Sequence, residues 1–113
     1  MEYLDKKDLG VYNGFDVTLY FCPEDVPLED SFDPTVFDIA ELYADIERGG
    51  SVYFQAVVVA SKNGIEIGSD SLGCCHYESY KNFCDIEENG YIQDMIETAT
   101  DYADATIQGL LTD

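Results

Sequence analysis

Basic side chains are scarce in this sequence. Five Lys and Arg stand against 24 Asp and Glu in 113 residues, with a single histidine and a formal net charge of −19. A chain of this kind repels itself, free nucleic acid and anionic membranes. No run approaches the roughly 18 apolar residues of a membrane span. The first ten residues, MEYLDKKDLG, have neither the basic start nor the apolar stretch of a signal peptide, so a cytoplasmic location is expected. A P-loop, a dinucleotide fingerprint and a G-x-S-x-G elbow are all missing. The stretch PEDVPLEDSFD lacks the ligand order and glycine of an EF-hand, which argues against calcium.

Cysteine and histidine are equally short of a pattern. Cys22, Cys74, Cys75 and Cys84 lack the paired C-x-x-C spacing of a zinc site and read as reduced, partly buried thiols. His76 is the only histidine, so a Cys–His nucleophile would have to use it. Neighbours on a strand point to opposite faces, which makes Cys75–His76 a poor dyad. No catalytic group and no cofactor is assigned. A thiol- or zinc-dependent protein using Cys74, Cys75, His76 and Cys84 stays as a minor alternative.

What is present suffices to fold. Hydrophobic residues make up 46% of the chain, which argues against disorder, and the length fits a single domain, residues 1–113, with a modest core. Phe15, Val17, Leu19 and Phe21 alternate with Asp16, Thr18 and Tyr20, so a half-buried strand is expected over Val11–Phe21. The proline-rich, acidic stretch CPEDVPLEDSFDP then reads as a loop. Asp33 and Pro34 have the residue types of a helix cap and first helical position. Val36, Ile39, Ala40, Tyr43 and Ile46 follow at helical spacing, and Gly49-Gly50 ends the run. Ser51–Ser61 is almost wholly apolar, as in a central strand. Asn63-Gly64 is a hairpin signal, and Ile65–Asp70 returns as a strand that SLGCCHY either extends or leaves. A short helical turn fits Ser79–Glu88. A long helix is expected from about Asn89, with Ile92, Met95, Ile96, Ala99, Ala103, Ile107 and Leu110 on its core side. The order β-α-β-β-α implies an α+β fold: a three-stranded antiparallel sheet with two helices on one face. Tyr53, Val57 and Val59 then point to the bare face, to be covered by the N-terminal segment or by a second copy in a homodimer.

The acids are not scattered. Asp94, Glu97, Asp101 and Asp104 fall at steps of three, four and three, on the side of the last helix opposite its core stripe, and nothing basic follows Lys81. A solvated helix face ordinarily interleaves Glu with Lys four residues apart, gaining a few tenths of a kcal/mol per pair, and like charges lose about as much. Acids toward the C-terminal end also oppose the helix dipole. At about 1.5 Å per residue the four carboxylates span roughly 15 Å. Four successive phosphates of one DNA strand advance about 10 Å. Asp38, Glu41 and Asp45 line the outer side of the first helix, and Glu24, Asp25, Glu29, Asp30 and Asp33 crowd the loop before it. Fixed in a fold, such rows fit a basic groove without ordering cost and with release of counterions.

In composition the whole chain resembles the small acidic DNA-mimic proteins of phages and mobile elements, among them anti-CRISPR and anti-restriction inhibitors; no diagnostic motif accompanies the likeness. The segments IGSDSLGCCHYES and YIQDMIETATDYA are similar to those of small phage- and plasmid-borne proteins without an established activity. The resemblance implies a non-enzymatic inhibitor that occupies the nucleic-acid-binding surface of a host defence complex, and no residue role is carried over from it. The expected partner is a basic nucleic-acid-binding protein, with neither nucleic acid nor membrane bound directly. The expected contacts are Asp94, Glu97, Asp101 and Asp104, then Asp38, Glu41 and Asp45, then the loop acids, with Tyr91 and Tyr102 as aromatic neighbours. Two bland readings remain: acidity as a halophilic adaptation, or acidity serving only solubility in a small interaction or assembly module.

Overall fold

The computed structural model describes residues 2–112, with side chains through residue 110. Four strands, β1 (Asp5–Tyr12), β2 (Phe15–Cys22), β3 (Val52–Lys62) and β4 (Ile65–Tyr77), form one antiparallel sheet in the order β1-β2-β3-β4. Two short helices, α1 (Leu28–Ser31) and α2 (Ile39–Glu47), lie in the β2–β3 connection, and α3 (Tyr80–Glu87) and α4 (Tyr91–Thr112) follow β4. The class is α+β, but the sheet has four strands where the sequence suggested three.

The extra strand comes from a second hairpin. Asn13 and Gly14 have φ of 55° and 86°, nearly the values of Asn63 and Gly64, 53° and 79°. Two consecutive positive φ values are what a tight two-residue hairpin requires, and Asn-Gly supplies them with least strain. The strand expected over Val11–Phe21 is therefore cut in two. β1 shows no apolar alternation because it is an edge strand exposed at all but one position. The last strand does run on through SLGCCHY. It crosses a bulge in which Gly73 and Cys74 together oppose Gln55, and Cys74 takes a left-handed φ of 57°.

One face of the sheet carries the core. Phe15, Val17, Leu19 and Phe21 of β2 and Phe54, Ala56, Val58 and Ala60 of β3 pack against Phe83 of α3 and Ile92, Met95, Ile96, Ala99 and Ala103 of α4. The apolar stripe of α4 is thus the expected one, although Ile107 is only partly buried and Leu110 lies in solvent. The helix comes very close to β4 at Gly68. A Cβ there would fall 2.8 Å from the Ala103 nitrogen and closer still to the Ala99 carbonyl oxygen.

The other expected helix is corrected in extent and in place. Asp33 and Pro34 open a turn rather than the helix: Asp33 Oδ1 accepts from the Thr35 amide at 2.9 Å and the Thr35 hydroxyl at 2.7 Å. The chain caps again at Asp38, whose Oδ1 accepts from the Glu41 amide at 3.2 Å. α2 buries none of its residues, and Val36 is exposed. The helices do not share a face. Tyr53 and His76 pair across β3–β4 beside the inward-facing pair Phe54 and Cys75, so they point to the opposite side. The β2–β3 connection anchors there: Tyr53 OH donates to the Val26 carbonyl at 2.8 Å, and the Phe32 ring meets the His76 ring edge-on at 5.7 Å. That connection leaves Tyr53 half-buried, while Val57 is half-buried and Val59 buried. The face reserved for a second copy is therefore not bare.

Candidate functional site: the acidic faces

The expected contact residues divide into two populations. Those around α2 are engaged by their own chain. Arg48 Nη2 bridges Glu41 Oε1 at 2.8 Å and Asp45 Oδ1 at 3.0 Å. A side-chain hydrogen bond from Ser51, helped by Arg48 and His76, holds the Asp45 carboxyl below its ordinary value. Asp38 is the N-cap of α2, and Glu29 Oε2 accepts from Tyr43 OH at 2.7 Å, which lowers the Glu29 pKa. Asp33 is lowered in the same way by the Thr35 hydroxyl and amide. Most of this outer row serves local folding, so the short charged stripe expected from Asp38, Glu41 and Asp45 is partly neutralised.

Glu24 is engaged still more deeply. Its Oε2 accepts from the Cys74 amide at 2.7 Å and its Oε1 from the Val26 amide at 3.1 Å. One carboxylate thus clamps the start of the β2–β3 connection to the β4 bulge, 50 residues away in sequence. Ser31 Oγ adds to the clamp, 3.0 Å from Cys74 Sγ and 2.7 Å from Tyr53 OH. Asp25 and Asp30, by contrast, are exposed and extend the loop's negative surface toward solvent.

α4 is different. Asp94, Glu97, Asp101 and Asp104 are all exposed. Among the described residues none of them meets a cation within 4.0 Å; the ion pairs there are confined to Arg48 and to Lys81 with Asp85. Glu97 receives one long hydrogen bond, 3.4 Å from Gln93 Nε2. The helix is held rigidly beneath this row by the core and by Thr100. The Thr100 hydroxyl is buried, donates to the Ile96 carbonyl at 2.8 Å and accepts from Asn13 Nδ2 at 3.1 Å. Tyr91 and Tyr102 are exposed on the same helix.

The thiols do not converge. Cys75 and Cys84 belong to the core, while Cys74 and His76 face the β2–β3 connection. Burial pushes the Cys75 thiol up to about 11 and raises Cys84 and Cys22 as well, which disfavours the thiolate needed for nucleophilic or metal chemistry. Among the described residues no three His, Cys, Asp or Glu side chains gather as a metal-binding group. No helix of the described residues is long and apolar enough to cross a membrane.

The α4 row was visible in the sequence. The difference between acids that face solvent and those that cap, clamp or pair was not, because capping and display use the same residue types. For α2 the signal was present in Arg48, three and seven residues from Asp45 and Glu41. For Glu24, whose partner is a distant backbone amide, local sequence held none. Comparison with protein-family models, with curated proteins and with solved structures finds no match to this chain.

Proposed function

We propose that the protein is a non-enzymatic, DNA-mimic-type inhibitor that docks the acidic face of α4 on a basic, nucleic-acid-binding surface and keeps nucleic acid off it. The observation that carries this reading is the contrast between the two helices. α2 ties its acids to caps, hydroxyls and Arg48, whereas the carboxylates of α4 stand outward with no cation beside them among the described residues. A folding role explains the first set and not the second, since unscreened like charges on one helix face cost stability.

The dimensions support the reading. The molecule is elongated, 53 × 25 × 24 Å. Its net charge of −19 spread along 53 Å amounts to about one negative charge per 3 Å, close to the roughly 3.4 Å per phosphate of a single DNA strand. The charges ride on a scaffold already ordered, so docking releases counterions from the basic partner with little conformational cost. A host defence complex of the CRISPR or restriction type is the kind of target this chemistry suits.

The test is affinity capture from nuclease-treated host lysate at low salt, with identification by mass spectrometry. Wild type should retain nucleic-acid-binding proteins and release them steeply as salt rises. The variant Asp94→Lys, Glu97→Lys, Asp101→Lys should retain none of them. Equal retention by both proteins would remove α4 from the mechanism.

A further inference from the structure

We infer that the protein pairs with a second copy of itself at the hairpin end of the molecule, through a groove between the β3–β4 tip and the last turns of α4. This groove, about 390 Å³, is walled by Ile65, Ile67, Ile107 and Leu110. Ile65 is 66% exposed and Leu110 74%, large apolar side chains left in water at the same place. Single exposed apolar residues are ordinary on a protein surface, but two of them flanking a formed groove make a contact surface.

The charge on the groove says what covers it. In a chain with 24 acids and five bases, the groove carries one of each, Lys62 and Glu66. A basic partner gains nothing from so balanced a surface, whereas another acidic copy meets no repulsion there. Lys62 and Glu66 are not paired within the chain. Among the described residues Lys62 has no carboxylate within 4.0 Å, and its ammonium sits 5.7 Å from the centre of the Phe15 ring. A two-fold axis through the groove brings Lys62 of each copy to Glu66 of the other. Such an interface is self-complementary: every contact occurs twice. The acidic row of α4 lies on the other side of the helix from this contact, so a dimer presents two rows outward. Pairing through the groove is independent of the proposed function, because it uses a different surface.

The opposing forces set a salt dependence of the opposite sign to that of inhibitor binding. Two copies at −19 repel over their whole length, and salt screens that long-range repulsion, while the apolar groove contact is strengthened by salting out. Dimerisation should therefore tighten as salt rises, while binding to a basic partner weakens.

The experiment is sedimentation velocity of the full chain over a concentration series at low and high salt. It uses wild type, Lys62→Glu, Glu66→Lys, an equimolar mixture of these two variants, and Ile65→Asp. Wild type should dimerise, more tightly at high salt. Each single charge variant should weaken association at least tenfold, since each places like charges together twice. The mixture should restore association in mixed dimers, where one contact joins the two introduced side chains and the other the two native ones, each pair opposite in charge. That rescue also shows that the variants fold. Ile65→Asp should be monomeric with an unchanged circular dichroism spectrum. A wild type that stays monomeric at every concentration and salt overturns the inference, as does a dimer unaffected by the charge variants or not rescued by mixing them.

Discussion

Glu24 shows how one residue type is put to different uses. By composition it is one of 24 acids; in the fold it holds the Cys74 amide of a strained bulge at 2.7 Å. Removing an acceptor from a partly buried amide leaves that amide short of a partner and costs about 1–2 kcal/mol. Glu24→Ala should lower the urea midpoint by that equivalent, with less loss for Glu24→Gln, which keeps an acceptor. Partner binding through α4 should be unchanged in both.

Cys74 is the half-exposed thiol, whereas Cys22, Cys75 and Cys84 are buried. Titration with a thiol reagent in native buffer should modify Cys74 first and the other three only on the timescale of opening. Burial pushes Tyr53 up to about 12 and Cys75 up to about 11, from ordinary values of 10.0 and 9.0. Each raised value means that the fold favours the neutral form. The corresponding stabilisation is complete below the ordinary values and is lost as pH rises through the raised ones. Thermal stability should therefore fall across the window from pH 9 to about 12, and tyrosinate absorbance should show a late step that Tyr53→Phe removes.

At the scale of elements, α4 is the part most legible in the sequence and the part the fold depends on. Its stripe of Ile92, Met95, Ile96, Ala99 and Ala103 has one period and one destination, so periodicity alone placed it. Its small residues had a meaning that periodicity did not convey: Ala99 and Ala103 are there because β4 passes at Gly68. Gly68→Ala sets a methyl group against helix backbone, which cannot yield as a flexible side chain does. It should cost about 1–3 kcal/mol or more, read as a lowered midpoint in denaturant, while Gly109→Ala, with open space around it, should be neutral or slightly stabilising.

β1 and α2 were the illegible elements. β1 is an edge strand without a core face, so its evidence lay only in the Asn13-Gly14 turn, hidden inside an apparently continuous alternation. α2 carries an apolar pattern but buries none of it, because the β2–β3 connection docks through Ser31, Phe32 and Tyr53 instead. Those contacts join residues 22 to 44 apart in sequence, beyond the reach of any local pattern. The same limit applies to the candidate site: exposure on α4 follows from periodicity, while the internal use of Glu24, Asp38 and Asp45 follows from the contacts each makes in the fold.

Across the whole molecule, charge is the one large feature that folding alone does not account for. At −19 the folded chain is under self-repulsion that is relieved when the chain expands or the charges are screened. The melting temperature should accordingly rise with added sodium chloride, and rise further in Asp94→Asn, Glu97→Gln, Asp101→Asn at low salt, because that face gives up stability for its display. A variant neutral at Glu41 should instead lose a little stability, since Arg48 would keep only Asp45.

If the α4 face takes the place of nucleic acid on a basic surface, the two must compete. The most direct measurement is competition by fluorescence anisotropy, with a labelled DNA duplex bound to the protein recovered by affinity capture. Wild type should displace the duplex, with an apparent affinity that falls steeply with salt, and Asp94→Lys, Glu97→Lys, Asp101→Lys should fail to displace it. If the duplex stays bound while this protein binds beside it, or if the charge-reversed variant displaces it equally well, the account is contradicted.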